Sequence, residues 1–226
     1  MGLVHEAKIY FRMLFHYRPK RYWNELLSHS FDLKGVGHYR MSNEENLKMY
    51  ERKKQILEGE MRRAGIALRA DSRVLEVGCG VGYWTEYLKS LGVRHYLGND
   101  ITDVSVTTLR KRFPEYEFVQ GDISETPLPE NEFDLAVMID VTQHITDDRR
   151  FELAMERLWK SIKQGGHLII TVWEPAETIV LRARQRLNRI EKARGLGAYQ
   201  AVFGTGATVV SKVGFNDKDL VVVTKA

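Results

Sequence analysis

A glycine-rich segment directly after an apolar run is the part of this 226-residue chain best suited to hold a small ligand. Residues 74–77 are followed by Gly78, Gly80 and Gly82, in the spacing G-x-G-x-G. Glycine adopts positive φ without strain and lets the backbone approach a ligand where a Cβ would collide. Ligands of α/β sheets bind at the carboxyl ends of the strands. The segment therefore predicts a ligand-binding turn between a buried strand and a helix.

Titratable side chains follow the later β-rich runs, at what would be the same edge of the sheet. Asp100 stands eighteen residues after Gly82, where a carboxylate can accept hydrogen bonds from both hydroxyls of a ribose. Asp122 and Asp140 follow two further runs, and His144 lies just beyond Asp140. An imidazole with a pKa near its usual value of about 6.5 can take a proton from a hydroxyl at neutral pH. Each of these residues also suits a plain surface turn, and the histidine could serve only to order its loop.

The segment E-V-G-C-G-V-G, which begins at Glu76, resembles the first motif of class I S-adenosylmethionine-dependent methyltransferases. It does not match the dinucleotide fingerprint, whose third glycine would fall at Tyr83. The resemblance implies S-adenosylmethionine as the cofactor and S-adenosylhomocysteine as its product. The cofactor-binding residues that it implies are Glu76, Gly78, Gly80, Gly82, Asp100, Ile101, Asp122, Ile123 and Asp140.

The resemblance also implies roles for individual positions after the third and fourth strands. Asp122 would accept a hydrogen bond from the adenine amino group while Ile123 covers the ring. The charge of Asp140 would attract the sulfonium or hold the methionine amino group. His144 is the candidate catalytic residue, as a general base. No metal site is indicated, since the ligands of metal-dependent catechol-type enzymes do not follow the fifth strand, where Trp173 begins a Trp-Glu-Pro sequence.

From residue 73 onward, β-rich runs alternate with amphipathic segments, which is typical of βα units around a parallel sheet. The fold class expected is α/β: a Rossmann-like, doubly wound, mostly parallel seven-stranded sheet with a C-terminal antiparallel hairpin and an N-terminal helical cap. The expected division is an aromatic and basic cap segment over 1–45 and a methyltransferase domain over 46–226. Strands are predicted over 73–77, 95–100, 117–120, 133–140, 167–173, 207–213 and 219–225, and helices near 83–91, 104–113, 147–162 and 177–194. A further helix is predicted to begin after Ser42 or Asn43. The helix near 177–194 is predicted to pack through its apolar side, formed by Val180, Ala183, Leu187 and Ile190.

Composition narrows the class of protein. The formal net charge of +4 is too small to indicate nucleic acid binding by itself. The single cysteine, Cys79, excludes an internal disulfide and fits a reducing compartment, so a cytoplasmic location is expected. The sequence contains no run of eighteen or more apolar residues, so neither a membrane span nor a signal peptide is expected.

Three functions remain open on the sequence. The favoured one is methyl transfer to a hydroxyl of a small molecule, such as a sugar, a lipid-linked compound or a natural product. Aromatic residues of the cap, Phe11, Phe15, Tyr22 and Trp23, would close over that acceptor or simply pack on the core. The second is methylation of RNA or a protein amine. In that case the arginine-rich segment 182–194 would contact the phosphates of the RNA, although the same arginines also suit a solvated helix surface. The third is a non-catalytic partner or activator that keeps the fold. The oligomeric state stays open.

Overall fold

The sheet expected from the alternating pattern is present in the computed structural model, which describes residues 17–38 and 41–226. Seven strands lie side by side in the order β3-β2-β1-β4-β5-β7-β6. Strands β1 to β5 pair in parallel, and β7 pairs antiparallel with both β5 and β6. The strands are β1 Arg73–Val77, β2 His95–Asp100, β3 Glu117–Gln120, β4 Phe133–Met138, β5 Ile162–Val172, β6 Ala207–Phe215 and β7 Lys218–Lys225. The α/β class and the antiparallel hairpin are confirmed.

Eight α-helices occur in the described residues. They are α1 Pro19–His29, α2 Leu33–Val36, α3 Asn43–Arg63, α4 Tyr83–Ser90, α5 Asp103–Arg112, α6 Asp148–Ser161, α7 Ile179–Leu187 and α8 Leu196–Phe203. Ser42 caps α3 as predicted, because its hydroxyl accepts from the Glu45 amide while the Glu45 carboxylate accepts from the Ser42 amide. Helices α1 and α2 form the described part of the N-terminal cap. The predicted aromatic contacts of Phe11 and Phe15 lie outside the described residues.

Both faces of the sheet are covered by helices. On one face, Tyr50 and Leu57 of α3, Trp84 of α4 and Leu109 of α5 belong to a single apolar cluster. On the other face, α6 and α8 pack onto the sheet, and Met155 is fully buried there. A strand that is buried on both faces reads as a continuous apolar run, which explains the run that leads into Gly78. Because β1 is central, the turn that follows it is held from both sides.

The predicted helix over 177–194 is wrong in its second half. Helix α7 ends at Leu187, and the side chain of Asn188 accepts hydrogen bonds from the amides of Ile190 and Glu191. An asparagine that bonds its own backbone two residues on competes with helix continuation. Ile190 is therefore buried in the cap, whereas Val180 and Leu187, predicted to be on the packed side, are 77% and 78% exposed.

Strand β4 ends two residues earlier than predicted. Asp140 has φ of 59°, in the left-handed region, so the chain has already left the sheet at this residue. The Asp140 amide donates to Oγ1 of Thr171 on the neighbouring strand at 2.7 Å. This bend directs the following residues, including His144, across the carboxyl edge of the sheet. Within residues 17–38 and 41–226, no helix has the length and apolar character needed to cross a bilayer.

Candidate functional site

The turn after β1 has the conformation that the glycines predict. Gly78, Gly80 and Gly82 have φ of 81°, 52° and 82°. A Cβ added at Gly78 would lie 2.3 Å from a methyl group of Val141, so the turn and the loop after β4 are in close contact. A Cβ at Gly82 would lie 2.6 Å from a methyl group of Leu109, so this glycine lets α5 pack against the start of α4. Gly78 and Gly80 shape the ligand side of the turn, and Gly82 shapes its buried side.

A cavity of about 260 Å³ opens beside this turn, at the carboxyl edge of the sheet. Its walls contain most of the predicted site residues: Gly78, Gly80, Asp100, Ile101, Asp122, Ile123, Asp140 and His144. Two predicted residues, Glu76 and Gly82, are not among those that line it. The structure therefore brings together residues that are far apart in the sequence, as the strand pattern requires.

Glu76 does not line the cavity, and its side chain joins β1 to α4 and β2. Oε2 accepts hydrogen bonds from the hydroxyls of Tyr96, at 2.6 Å, and Thr85, at 2.9 Å. The side chain is almost fully buried, and this burial raises the pKa of Glu76 to about 7, against the opposing effect of the two hydrogen bonds. Oε1 is buried and has no hydrogen-bond partner among the described residues, so the predicted contact of Glu76 with the cofactor stays a prediction.

Asp100 and Asp122 border the cavity after β2 and β3. Oδ2 of Asp100 accepts from the Gly80 amide at 2.8 Å, and Oδ1 accepts from the amide and hydroxyl of Thr102. Burial raises the pKa of Asp100, although these hydrogen bonds oppose the shift. Asp122 accepts from the amide and hydroxyl of Ser124, and Oδ2 lies 3.4 Å from a guanidinium nitrogen of Arg150. Oδ1 of each carboxylate already accepts two hydrogen bonds, so a further donor would bind at Oδ2, which keeps a lone pair.

Asp140 has two lysine partners that come from distant parts of the chain. Nζ of Lys53, on α3, lies 2.5 Å from Oδ2, and Nζ of Lys218, at the start of β7, lies 3.2 Å from Oδ1. Burial alone would raise the pKa of Asp140, but Lys218 and Lys53 outweigh it and the pKa is lowered. A cationic ligand group would have to share this carboxylate with two ammonium groups.

His144 lies in a short 3₁₀ turn, Thr142–His144, at the cavity wall. Nδ1 is 3.4 Å from the carbonyl oxygen of Ile190, which can only accept, so Nδ1 carries the hydrogen. The lone pair of Nε2 then accepts from the side-chain amide of Gln143, 3.3 Å away. Burial lowers the pKa of His144, although the carboxylate of Glu191, 4.0 Å from Nε2, opposes the shift. The lowered pKa favours the neutral imidazole at pH 7, and an acceptor hydroxyl would have to replace the Gln143 amide at Nε2.

Aromatic and aliphatic side chains of the cap form the wall opposite the glycine turn. Tyr17, Trp23, Leu27 and Val36 line the cavity together with Tyr50 of α3. The indole of Trp23 meets the imidazole of His144 edge to face, with 4.9 Å between ring centroids. These side chains give the cavity a largely apolar wall beside His144.

Sequence reasoning missed the ionic partners of the site. Lys53 shares one face of α3 with the buried Tyr50 and Leu57, at helical spacing, and that pattern could have identified it. Lys218 and Glu191 have no local pattern, because only the fold brings them to Asp140 and His144. Among the described residues, no cluster of histidine, cysteine, aspartate and glutamate could hold a metal ion.

Comparison with known proteins identifies the central part of the chain. Residues 75–170 match the family model described as a methyltransferase domain. A probable S-adenosylmethionine-dependent methyltransferase from Mycobacterium tuberculosis is 34% identical over 107 residues, which cover 47% of this chain and 38% of that protein. A fatty-acid O-methyltransferase from Mycolicibacterium smegmatis is 31% identical over 106 residues, which cover 46% of this chain and 38% of that protein. The match thus spans well under two thirds of the length of these curated relatives.

Solved structures share the whole architecture. The magnesium protoporphyrin IX methyltransferase from Synechocystis PCC 6803, solved with bound SAH, superimposes with a TM-score of 0.67. The superposition covers 92% of this chain and 98% of that chain at 14% sequence identity. This similarity establishes the fold, including the sheet and the hairpin.

Proposed function

This chain contains a class I S-adenosylmethionine-dependent methyltransferase domain, and on that basis we propose that it transfers a methyl group to a hydroxyl of a small, largely apolar molecule. The observation that carries the proposal is the position of His144, a neutral imidazole between the glycine turn and the aromatic wall. The division into a cap over 1–45 and a catalytic domain over 46–226 is part of the proposal, because α1 and α2 supply the apolar wall.

The cavity residues fit the cofactor. Gly78 and Gly80 line the cavity, and a Cβ at these residues would lie 2.3 Å from Val141 and 3.1 Å from Val36, which line it as well. Asp100 would accept from ribose hydroxyls and Asp122 from the adenine amino group, and Ile101 and Ile123 would cover the ring. When bound there, S-adenosylmethionine supplies a methyl group already activated by a sulfonium, so transfer depends mainly on alignment and on exclusion of water.

His144 would act on the acceptor. Nε2 would accept the hydroxyl proton as the oxygen forms its bond to the methyl carbon and the carbon–sulfur bond breaks. Glu191, whose carboxylate is 4.0 Å from Nε2, would stabilise the imidazolium that results. Trp23 would exclude water and hold the apolar part of the acceptor beside the imidazole. The similarity to a fatty-acid O-methyltransferase supports an oxygen acceptor on a lipid-like molecule.

The first test is cofactor binding by calorimetry with S-adenosylhomocysteine. We expect micromolar binding that Asp100→Ala weakens by about 1–3 kcal/mol. Asp71→Ala is the matched control, since Asp71 is exposed and pairs only with Arg69 before β1. Absence of binding by the unmodified protein would show that the fold is retained without the cofactor, as in a non-catalytic partner.

The second test identifies the acceptor. The protein is incubated with methyl-labelled S-adenosylmethionine and with separated lipid, polar small-molecule, RNA and protein fractions of its source. We expect label in a small-molecule fraction, in a product that resists both mild acid and base as a methyl ether does, whereas base-labile label would indicate a carboxylate acceptor and contradict the hydroxyl proposal. Label confined to RNA or protein would reject the small-molecule proposal while leaving the methyltransferase assignment intact.

A further inference from the structure

Helix α7 presents an apolar face to solvent. Ile179, Val180 and Leu187 are 85%, 77% and 78% exposed, and Ala183 between them is also exposed. Ile179, Ala183 and Leu187 follow one another at i, i+4 and i+8, so they share one side of the helix. Single exposed aliphatic residues are common on protein surfaces, but a contiguous stripe on one helix marks an interaction site.

The rest of α7 is anchored, so its orientation is fixed. The side-chain amide of Gln185 accepts from the Ala176 amide at 2.6 Å and donates to the Glu174 carbonyl at 3.2 Å. On a helix of 3.6 residues per turn, Gln185 points roughly opposite to Ala183 and Leu187. The apolar stripe therefore faces away from the protein because the opposite side of α7 is bonded to the segment after β5.

Arginines flank this stripe on both sides. Arg182, Arg184 and Arg186 lie on α7 and Arg189 follows it, and all four are exposed. Across residues 17–38 and 41–226, no ion pair joins any of the four to a carboxylate. Residues 177–189 hold these four cations and one acidic side chain, Glu177. The helix thus combines unpaired positive charge with an uncovered aliphatic stripe.

We propose that α7 is an interfacial helix that docks the protein on a membrane surface rich in anionic lipid. An aliphatic stripe bordered by arginines matches the boundary between acyl chains and anionic headgroups. RNA would use the arginines but leave the aliphatic side chains in water, since bases stack on aromatic or guanidinium planes. A second copy packed on the same patch would oppose two sets of unpaired arginines. A bilayer satisfies both features at once.

The position of α7 gives this docking a direction. Leu187 precedes Ile190 by three residues, and the Ile190 carbonyl lies 3.4 Å from the His144 ring in the cavity wall. The amide of Lys192 donates to the Gln143 carbonyl at 2.8 Å, which fixes this link to the same wall. The proposed membrane face therefore adjoins the cavity, although the docking itself does not depend on which acceptor is methylated.

The test measures vesicle binding by co-sedimentation of the full chain. Vesicles of phosphatidylcholine are compared with vesicles that contain about a third phosphatidylglycerol, at low and at moderate salt. We expect binding to the anionic vesicles that weakens as salt rises. The triple variant Ile179→Gln/Val180→Gln/Leu187→Gln should weaken vesicle binding at least about tenfold, because each change removes an aliphatic side chain that would be buried in the bilayer on docking. Arg184→Gln/Arg186→Gln should weaken it about tenfold and reduce the preference for anionic lipid.

The matched control replaces three exposed apolar residues elsewhere. Leu91→Gln/Val119→Gln/Val210→Gln alters side chains that are 38%, 37% and 40% exposed, and it should bind vesicles like the unmodified protein. The α7 triple variant should unfold thermally like the unmodified protein, because its replaced side chains are at least 77% exposed. The control variant, whose replaced side chains are more than half buried, should be less stable and is assayed at a temperature at which it remains folded.

Three results would overturn the proposal. One is failure of the unmodified protein to bind either vesicle at low salt. Another is equal weakening by the two triple variants. The third is a dimer, or a complex with transfer RNA, that forms without vesicle binding and is lost in the α7 variants, because it would identify a different occupant of the helix.

Discussion

The indole of Trp23 contacts the imidazole of His144 edge to face, at 4.9 Å between ring centroids. This contact joins the N-terminal cap to the loop after β4, two parts of the chain that no sequence pattern relates. Because both rings line the cavity, the cap contributes to the site and does not merely cover the sheet.

Replacement of Trp23 should weaken acceptor binding much more than cofactor binding. Trp23→Ala removes a large apolar surface from the cavity wall beside His144, so we expect KM for the acceptor to rise about tenfold or more. Binding of S-adenosylhomocysteine by calorimetry should change less than about twofold. Arg21→Ala on the same helix, whose guanidinium pairs only with Glu25, should leave both unchanged. An equal loss of cofactor affinity would place Trp23 against the cofactor.

The pH dependence of turnover should report His144. Burial lowers its pKa from 6.5, so the imidazole stays neutral and active above about pH 6.5, and kcat should fall only below that value. His144→Asn should lower kcat about 10²–10⁴-fold and remove that limb of the profile. His167→Asn, on β5 and bonded to Thr224, should leave the profile unchanged. If His144→Asn turns over normally, the histidine is not the base.

Alanine substitutions at two glycines with almost the same backbone conformation should distinguish the cost of backbone strain from the cost of a packing clash. Gly82 and Gly92 have φ of 82° and 83°, but a Cβ at Gly82 would lie 2.6 Å from Leu109, whereas nothing lies within 4 Å of one at Gly92. Gly92→Ala should cost about 1 kcal/mol of unfolding free energy, from the positive φ alone. Gly82→Ala should cost a further 1–3 kcal/mol or so, because α5 must shift. Urea unfolding measures both, and equal costs would mean that α5 adjusts freely.

The negative charge of the Asp140 side chain should contribute more to the unfolding free energy than the shape of that side chain. Asparagine tolerates positive φ, so Asp140→Asn keeps the backbone but leaves Lys53 and Lys218 without their carboxylate. We expect a loss of about 3–5 kcal/mol in urea unfolding. Adding Lys218→Met should recover part of that loss. Asp217→Asn, at an exposed residue 3.3 Å from the same Lys218, should cost less than about 1 kcal/mol. A similarly small cost at Asp140 would show that solvent reaches the lysines.

Glu76 should make the protein less stable as pH rises. Its folded-state pKa is about 7, above the unfolded value of 4.5, so the folded state binds more protons between these two values. Unfolding free energy should therefore fall from about pH 4.5 to about 7, by roughly 3 kcal/mol from this group. Glu76→Gln keeps the acceptor oxygen for Tyr96 and Thr85 and should flatten the curve in that window. Glu117→Gln, at an exposed residue of β3, is the control. Parallel curves for all three proteins would contradict the raised pKa.

The sequence predicts the sheet well because its signals are local. A strand that is buried on both faces, such as residues 74–77, must be a continuous apolar run, and Gly78 marks where it ends. The predicted helix over 177–194 failed because Asn188 ends it through a hydrogen bond to its own backbone, which helical periodicity does not register. The apolar residues of α7 were wrongly predicted to be packed, because an apolar stripe has the same helical period whether it faces the core or the solvent.

The site was predictable only in part, for a similar reason. The glycines and the acidic residues after β2 and β3 are positioned by strand ends, which the alternating pattern locates. The partners of Asp140 and His144 come from α3, β7 and the segment after α7, whose placement depends on tertiary packing. Glu76 was assigned to the cofactor by its motif, and that assignment stays a prediction, since only Oε2 is bonded to Tyr96 and Thr85 while Oε1 has no partner among the described residues.

The hairpin sets an order of events during synthesis. Strand β7 follows β6 along the chain but lies between β5 and β6 in the sheet, so β6 has no neighbour until β7 has left the ribosome. Until then the growing chain has an unpaired edge at β5, which is open to association with other chains. The same strand brings Lys218 to Asp140, so completion of the sheet also adds the second of the two ammonium groups that hold the carboxylate beside the cavity.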